Sequence, residues 1–462
     1  MLPPHDRKAL HRNDSGSIRL SSSTSNSLES QILGPRSNLD EVAAPPPVYI
    51  SAENPERQQE FLETRRSQDD RESLPLHQET EPAQLYTQDA GVPDTPKPSK
   101  KRTLWKILRK TCIIGYLIFF SIAGTVLRLA IECLTFYPGT PVNTSVLWAN
   151  VGGSFIMGFL SQDQSLFRVD ISHTAQAATN HKKTIPLYIG LTTGFCGSLT
   201  SFSTFIRDAF LALSNDLAVS LGSYSHTSLF TSVPAGAKAP NGGFSFMAIV
   251  AVLLTEIGLS VFSLFLGAHL AIGTSAWMPT LPQRWVYKFL DPLVSILAIL
   301  SWVAVICLAA LFSQGIGEVS LWSTEMWEGP TIFALVFAPL GTLVRFFISL
   351  KLNGRIASFP LGTFVVNMSG TMILGMAYSL QHASFSGASF AGCQILQGIM
   401  DGFCGCLTTV STWVLELSGL RKRHAYFYAA LSVVVALCAL VIEIGSLKWT
   451  QGLDTPLCFR DI

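Results

Sequence analysis

GFCGSLTSFSTF, at Gly194–Phe205, occurs a second time in this chain as GFCGCLTTVSTW at Gly402–Trp413, with eight of the twelve positions unchanged. Both copies concentrate glycine, serine and threonine inside long apolar stretches, where such residues weaken a helix and free backbone carbonyl groups. A helix that faces lipid gains nothing from this composition, whereas a broken helix that lines an ion site uses it. The repeated segment therefore predicts an ion site in a membrane-embedded internal repeat.

A second pair of matching segments extends the repeat towards the N-terminus. GTVLR at Gly124–Arg128 recurs as GTLVR at Gly341–Arg345, and an asparagine follows each arginine after 22 residues, at Asn150 and Asn367. Because these elements keep the same order as the GFCG segments, the chain contains two copies of one unit.

The first hundred residues differ in composition from the rest of the 462-residue chain. They are rich in serine, proline, glutamine and charged residues, so they cannot bury enough apolar surface to offset the entropy of folding. We interpret residues 1–110 as a disordered cytoplasmic tail that ends in the basic cluster Lys97–Lys110. This cluster is typical of an orientation signal, and it also fits a lipid-binding or targeting segment.

The remainder carries apolar runs near the roughly 20 residues that cross a bilayer. The nine predicted spans are Ile113–Phe136, Trp148–Leu160, Leu187–Leu213, Ser245–Ala271, Phe289–Phe312, Thr331–Leu350, Pro360–Leu380, Ala391–Leu415 and Ala425–Leu447. A single span between two four-helix copies forces the second copy to enter from the opposite face, so the copies form an inverted repeat. The predicted fold is an all-α membrane protein with a 4+1+4 order of helices, in which the third helix of each repeat is broken.

Lysine and arginine are concentrated in alternate loops. Seven lie between Lys97 and Lys110, and the loops on that side hold ten more, whereas the opposite loops carry Lys238 and several glutamates. Since basic residues stay in the cytoplasm, the N-terminus is predicted to be cytoplasmic and the C-terminus extracellular. The predicted boundaries are 1–110 for the tail, 111–271 for the first repeat, 272–330 for the linker with its single helix, 331–449 for the second repeat and 450–462 for a short extracellular tail.

Two polar residue types recur at equivalent positions of the two repeats. Asn150 and Asn367 could bridge helices, but their paired, glycine-rich context favours a pore lining, where an amide NH2 group solvates an anion without a fixed charge. Arg128 and Arg345 fit two interpretations equally, namely snorkelling to the membrane interface and an electropositive vestibule that attracts anions.

The FSTF element places Phe202 and Phe205 three residues apart on one helical face. These rings adjoin the predicted break at Leu199–Thr204, and ring edges carry a partial positive charge past which an anion can move. Weak binding at several such points is what ion conduction needs. The hydroxyl groups assigned to the same pathway are those of Ser203, Thr204, Ser411 and Thr412.

Glu256 lies near the middle of its span, where an ionisable group is costly and indicates a functional site. It fits a proton-coupling carboxylate, and equally a hydrogen-bonded one. A proton-coupled small-molecule exporter and a non-transporting membrane scaffold therefore remain alternatives to a conduction pathway. We expect no enzyme, because the spans carry neither a nucleophile–base pair nor a metal cluster. The nine scattered cysteines form no C-x-x-C pair and are expected to be buried and unpaired rather than disulfide-bonded.

The order of arginine, Asn-x-x-Gly and GFCG-x-LT-x-FSTF resembles the fluoride channel (Fluc/CrcB) family, and within it the fungal fluoride exporters that fuse two such domains through one linking helix. The resemblance covers about Ile113–Trp449. It implies a passive fluoride exit route in the plasma membrane, formed by a single chain whose partners are fluoride and the bilayer, with no nucleic acid.

The resemblance also assigns roles to residues. It implies that Asn150 and Asn367 line the pathways, that Phe202 and Phe205 form an aromatic box, and that the two arginines lie at the vestibules. A structural Na+ ion between the repeats would be held by the backbone carbonyl groups of Gly197, Thr200, Gly405 and Thr408.

The two copies are unequal where the resemblance is most specific. The second has Val410 and Trp413 in place of the phenylalanine pair, but it alone carries the polar track of the family on its last helix, Tyr428 and Ser432. By span alignment, the first repeat has apolar residues at the positions of this track, Val250 and Leu254. We therefore expect a single conducting pathway, assembled from residues of both repeats.

Overall fold

The computed structural model describes residues 100–453, apart from 136–143, 164, 168–181, 218–241, 314–327 and 384–388, together with residue 456. Every regular element in these residues is a helix, and no strand occurs among them. The predicted all-α class is therefore confirmed for the described part of the chain. Residues 1–99 of the predicted tail lie outside it, as do most of residues 454–462.

The helices of the predicted first repeat surround one interruption of the backbone. They are α1 (Lys100–Thr135), α2 (Leu147–Gln162), α3 (the consecutive segments Pro186–Ile189, Gly190–Cys196 and Gly197–Leu199), α4 (Phe202–Leu213) and α5 (Gly242–Thr274). The middle segment of α3 is π-helical, a wider winding that is frequent at functional sites. Thr200 and Ser201 then separate α3 from α4.

The linking helix comes next, and the helices of the predicted second repeat then follow in the same order as those of the first. The helices are α6 (Gln283–Trp285, Val286–Leu290 and Asp291–Ser313), α7 (Glu328–Leu352), α8 (Leu361–His382), α9 (Phe390–Gly398, Ile399–Cys404 and Gly405–Leu407), α10 (Ser411–Gly419) and α11 (Lys422–Leu440, Val441–Gly445 and Ser446–Thr450). As in α3, a π-helical segment precedes the last turn of α9.

Seven helices in the described residues are long and apolar enough to cross a membrane. They are Ile107–Thr135, Gly242–Thr274, Val286–Leu311, Gly329–Leu352, Leu361–His382, Phe390–Gly419 and Lys422–Thr450. The second and the third of the nine predicted spans are not among these seven. The 16 residues of α2 extend over about 24 Å, less than the hydrocarbon thickness of about 30 Å. The third span is divided between α3 and α4, and Phe390–Gly419 contains the equivalent division between α9 and α10.

The two predicted repeats interlock. α4 packs against α8 and α11, and α10 packs against α2 and α5, so the helix after each interruption lies among helices of the other repeat. The largest cluster of buried hydrophobic residues accordingly contains members from both halves, including Phe202, Met368 and Trp413. The linking helix α6 packs on α1 and α7, and most of its apolar window is exposed, as suits a helix at the lipid boundary.

Small residues permit the close contact between α2 and α5. A Cβ atom on Gly158 would collide with the carbonyl group of Leu264, and one on Gly267 would collide with that of Phe155. Glycine at these positions lets the two backbones touch, which is how helices associate where lipid supplies no hydrophobic driving force.

The expectation that the cysteines are unpaired is wrong for Cys393, at the start of α9, which is disulfide-bonded. The spacing of cysteines along the sequence could not reveal this pairing, because it depends on how the chain folds. Seven other cysteines within the described residues are free, among them Cys196 and Cys404 beside the two interruptions.

Candidate functional site

Asn150 and Asn367 hold the two backbone interruptions in place. The Ser201 N–H group donates to Asn150 Oδ1 at 2.9 Å, and the Thr409 N–H group donates to Asn367 Oδ1 at the same distance. In a continuous α-helix these N–H groups would bond the carbonyl groups four residues earlier, those of Gly197 and Gly405. Each asparagine therefore takes the place of a missing backbone partner.

Two hydroxyl groups accept hydrogen bonds from N–H groups that a continuous helix would bond to backbone carbonyl groups. The Thr204 N–H group donates to Ser201 Oγ at 3.2 Å, and the Thr412 N–H group donates to Thr409 Oγ1 at 3.4 Å. These N–H groups would otherwise bond the carbonyl groups of Thr200 and Thr408. Both of these threonines have extended backbone angles, with φ and ψ of −99° and 144° at Thr200 and −92° and 158° at Thr408.

Four carbonyl groups thus lose their helical donors at the interface between the repeats. The short turns Gly197–Leu199 and Gly405–Leu407, which precede the interruptions, pack against each other. Free backbone carbonyl oxygens of unwound helices are the ligands that alkali cations use in membrane proteins. The residues predicted to hold Na+ are those whose carbonyl groups are freed, namely Gly197, Thr200, Gly405 and Thr408. Elsewhere in the described residues, no group of His, Cys, Asp and Glu could hold a metal ion.

Arg128 and Arg345 each reach into the opposite repeat. Arg345 Nη2 donates to the Thr193 carbonyl oxygen at 2.7 Å, and Arg128 Nη2 donates to the Asp401 carbonyl oxygen. The guanidinium groups lie against Gly197 and Gly405, where a Cβ atom would overlap them. Both side chains are buried, at 1% and 2% exposure, which excludes the snorkelling interpretation. Each also keeps an Nη1 group without a hydrogen-bond partner among the described residues.

The hydroxyl groups of the two copies bond across the interface in a reciprocal pattern. Ser203 Oγ lies 3.0 Å from Thr408 Oγ1, and Ser411 Oγ lies 3.0 Å from Thr200 Oγ1. Ser203 and Ser411, which the sequence assigned to a conduction pathway, therefore join the two interruptions. Thr204 bonds Ser201 within its own turn, at 2.8 Å between hydroxyl oxygens.

The aromatic residues of both copies form one cluster. The rings of Phe202 and Phe205 meet edge to face with centroids 5.7 Å apart, and Phe202 meets Trp413 in the same way at 5.4 Å. All three side chains are buried, and so is Val410. The second copy, although it lacks a phenylalanine pair, thus extends the ring cluster of the first.

The contacts of α2 and α8 fix the register between α5 and α11. Gly158 of α2 faces the backbone of Leu264, and the equivalent Gly375 of α8 faces the side chains of Glu443 and Leu440. The residues 4, 8 and 12 positions before each of these leucines are buried in both helices. Ser260 of α5 therefore corresponds to Ala436 of α11, Glu256 to Ser432 and Val252 to Tyr428.

The predicted alignment of the polar track with Val250 and Leu254 is therefore wrong by two residues. Leu254 is 69% exposed, whereas Val252 and Glu256 are buried. The predicted alignment rested on the ends of the spans, whereas Glu256, Ser260 and Gly267 mark the buried face of α5 at helical spacing.

Helix packing gathers the candidate residues into two sets. α4 lies against α8 and α11, and α10 lies against α2 and α5. The first set, called the Asn367 group below, comprises Asn367, Phe202, Phe205, Tyr428 and Ser432. The second set, called the Asn150 group, comprises Asn150, Val410, Trp413, Val252 and Glu256.

The two groups differ in the partner of the asparagine amide. Asn150 Nδ2 donates to Glu256 Oε2 at 3.0 Å, and the other carboxylate oxygen has no hydrogen-bond partner among the described residues. Asn367 Nδ2 donates to the Thr409 carbonyl oxygen at 3.2 Å, and the Ser432 hydroxyl, at the equivalent position of α11, is buried with no hydrogen-bond partner among the described residues. Only the Asn150 group contains a carboxylate.

Glu416 is a buried polar residue that the sequence analysis missed. Its carboxylate accepts hydrogen bonds from Tyr428 at 2.8 Å, from Thr363 at 2.5 Å and more distantly from Asn353 at 3.4 Å. A signal was present in the sequence, because an acidic residue follows the last aromatic residue by three positions in both copies, as Asp208 and as Glu416. That spacing places the acid on the same helical face as the ring.

A cavity of about 110 Å³ opens beside Glu416, which forms part of its wall. Arg345, Thr409, Thr412 and Lys183 also line it, so it joins the second interruption to the loop that precedes α3. Burial lowers the pKa of Lys183 to about 8. The cavity wall carries two basic side chains, Arg345 and Lys183, and one acidic side chain, Glu416.

Comparison with known proteins agrees with this arrangement. The family described as "CrcB-like protein, Camphor Resistance (CrcB)" matches residues 115–238 and again residues 332–444. Fluoride export protein 1 of Neurospora crassa is 43% identical over 441 residues, which cover 87% of this chain and 78% of that protein. Fluoride export protein 1 of Candida albicans is 32% identical over 79% of this chain and 88% of its own length.

Bacterial relatives match only part of the chain. The fluoride-specific ion channel FluC of Acinetobacter baylyi is 33% identical over 120 residues, which cover 24% of this chain and 88% of that protein. A protein of that length corresponds to one repeat, which fits the two separate family matches. No solved structure matches the chain significantly.

Proposed function

The chain belongs to the CrcB-like family, and we propose that it is a fluoride channel that lets cytoplasmic fluoride leave down its electrochemical gradient. One observation carries the proposal. Helix α4 of the first repeat lies against α8 and α11 of the second, so the buried rings of Phe202 and Phe205 belong to a helix that packs on the helices of Asn367 and Ser432, which are also buried. These are neutral groups that can solvate a small anion without holding it tightly.

The proposed membrane arrangement is the 4+1+4 inverted repeat with a cytoplasmic N-terminus, in the plasma membrane. The two separate family matches and the reciprocal hydrogen bonds of the interruptions support two copies in opposite orientations. The disulfide of Cys393 supports an extracellular location for the start of α9, because disulfides persist on the oxidising side of a membrane. Since each repeat supplies the partner of the other, one chain suffices as the functional unit.

A structural Na+ ion between the repeats is part of the proposal. Its ligands would be the four carbonyl groups that lose their helical donors, those of Gly197, Thr200, Gly405 and Thr408. The ion would add positive charge near the point where fluoride passes and would join the two interruptions.

We further propose that only the Asn367 group conducts. It retains every residue that the family resemblance assigns to a pathway, whereas the Asn150 group has lost the phenylalanine pair and has Val252 and Glu256 in place of the tyrosine and serine. The cavity next to Glu416, with Arg345 and Lys183 in its wall, would collect fluoride from the cytoplasmic side.

No energy source beyond the membrane potential is required. Hydrofluoric acid enters a cell as a neutral molecule and ionises in near-neutral cytosol, where the anion is trapped. An inside-negative potential then favours exit of the anion by about 2.3 kcal/mol per 100 mV.

The test is fluoride efflux from liposomes that contain the purified full-length protein. Efflux should accelerate when a potassium diffusion potential is imposed and should not respond to a pH gradient alone. Efflux that follows the pH gradient and ignores the potential would instead indicate the proton-coupled exporter, with Glu256 as the coupling carboxylate. Liposomes whose fluoride leaves no faster than from protein-free vesicles would contradict transport altogether.

A further inference from the structure

The side chain of Glu256 occupies a position that bears directly on the Asn150 group. Its Oε2 atom accepts the Asn150 amide hydrogen at 3.0 Å, and the residue is 1% exposed. The same amide bonds the Ser201 carbonyl oxygen at a longer distance of 3.5 Å. Glu256 therefore receives the shorter of the hydrogen bonds that this NH2 group makes.

The equivalent position in the other group carries a much smaller side chain. Ser432 corresponds to Glu256 in the register that Gly158 and Gly375 define, and its hydroxyl group is buried without a partner. In the Asn367 group the Tyr428 hydroxyl and the Ser432 hydroxyl thus follow one another along α11, whereas the Asn150 group has Val252 and a carboxylate. The longer side chain of Glu256 reaches the Asn150 amide, whereas the Asn367 amide bonds the Thr409 carbonyl oxygen and leaves the Ser432 position free of such a contact.

From this geometry we propose that the side chain of Glu256 closes the Asn150 group to fluoride. Its carboxyl group binds the amide donor that a passing fluoride ion would need, and it fills the volume in which that ion would lie. The inference rests on the proposed fluoride conduction, and it assigns a role to a buried acid that the conducting group does not use.

The closure also has a structural benefit. Asn150 holds the first interruption through its Oδ1 atom, so its orientation must stay fixed whether or not an ion passes. The hydrogen bond to Glu256 fixes the Nδ2 atom of the same amide. The first interruption therefore keeps its support in a group that does not bind and release fluoride.

The test converts the composition of the Asn150 group into that of the Asn367 group, with and without Glu256. The refitted protein carries Val252→Tyr, Val410→Phe and Trp413→Phe, in a background where Tyr428→Phe and Ser432→Ala block the Asn367 group. Adding Glu256→Ser to the refitted protein should raise fluoride efflux from liposomes at least tenfold. Leu254→Ser in place of Glu256→Ser is the matched control, because Leu254 is exposed on the outer face of the same helix and should produce no gain.

Equal efflux from the refitted protein with Glu256 and with Glu256→Ser, whether both conduct or neither does, would overturn the proposal. Correct folding is verified by the same substitutions in a chain with Tyr428 and Ser432 intact, which must retain efflux through the Asn367 group and elute as one species. Absence of efflux from the unmodified protein would contradict the proposed function instead, so the two failures are distinguishable.

Discussion

In the Asn367 group, two phenylalanine rings and an unpartnered hydroxyl stand where the Asn150 group has a valine, a tryptophan and a carboxylate. The backbone around them does not share this divergence. Both asparagines bond the interrupted helix at 2.9 Å, and both arginines cross to a glycine of the other repeat. The frame is therefore kept in both copies, whereas the residues proposed to contact the ion are complete in only one.

The largest effect is expected from removing the polar track of the Asn367 group. Tyr428→Phe with Ser432→Ala should lower fluoride efflux at least about a hundredfold, because the barrier rises by roughly 2.7 kcal/mol when two stabilising hydroxyl groups are lost. The measurement is efflux from liposomes together with growth of cells on fluoride.

Val252→Ala, at the position of the Asn150 group that corresponds to Tyr428, is the matched control and should leave efflux within about twofold. If this control removes efflux while the double variant conducts normally, the two groups have been assigned the wrong way round.

A somewhat smaller loss is expected from the aromatic pair. Phe202→Leu with Phe205→Leu keeps the apolar volume but removes the ring edges, so efflux should fall about ten- to a hundredfold, at roughly 0.5–1.5 kcal/mol for each lost edge interaction. Val410→Leu, in the other group, provides the comparison and should change efflux little. Retention of full efflux by the double leucine variant would show that the rings only pack, and the assembly of the pathway from both repeats would then be wrong.

Replacing the glycine that lies against each buried guanidinium group should destabilise the protein equally in both repeats. Gly197→Ala and Gly405→Ala each place a methyl group in the space of a buried guanidinium group, so each should lower the free energy of unfolding by about 1–3 kcal/mol. Thermal unfolding in detergent, followed by size-exclusion chromatography, measures this change.

Gly152→Ala and Gly258→Ala are the controls, because nothing lies within 4 Å of a Cβ atom at either position. A large loss for Gly405→Ala with none for Gly197→Ala would show that the frame is as unequal as the side-chain groups.

The smallest predicted effect is a pH dependence of the cytoplasmic entrance. Burial lowers the pKa of Lys183 to about 8, so this side chain is charged below that pH and loses its charge above it. Raising the pH on that side from 7 to 9 should therefore reduce efflux by about two- to threefold at low ionic strength, where attraction of the anion is least screened.

Lys183→Met should have the lower efflux at pH 7, should match the unmodified protein at pH 9, where Lys183 is largely neutral, and should lose the dependence. The neighbouring Lys182, whose pKa burial also lowers to about 8 against the opposing influence of Asp163, is the comparison. It bonds the Asp163 carbonyl oxygen and lies over the Phe167 and Tyr188 rings, outside the cavity wall. A pH dependence that persists in Lys183→Met and disappears in Lys182→Met would contradict this assignment.

Much of the frame could be predicted from sequence because it depends on residues that stand out within apolar segments. The spacing from arginine to asparagine and the repeated GFCG segment located both interruptions, and the asparagines do bond them. The correct register of Glu256 against Ser432 could not be predicted, since it depends on contacts of Gly158 and Gly375 that no local pattern encodes. Glu416 could have been found from its repeated spacing to the last ring, but its partner Tyr428, on another helix, could not.

The crossing of the two arginines has a consequence for synthesis of the chain. When the first repeat has entered the membrane, Thr193 has no guanidinium partner, because Arg345 is made 152 residues later. Arg128, already inserted, must likewise wait for the carbonyl group of Asp401. The first half is therefore an unfinished structure that depends on the insertion machinery until α7 and α9 arrive, and translation past the linking helix is the step that commits the protein to its final shape.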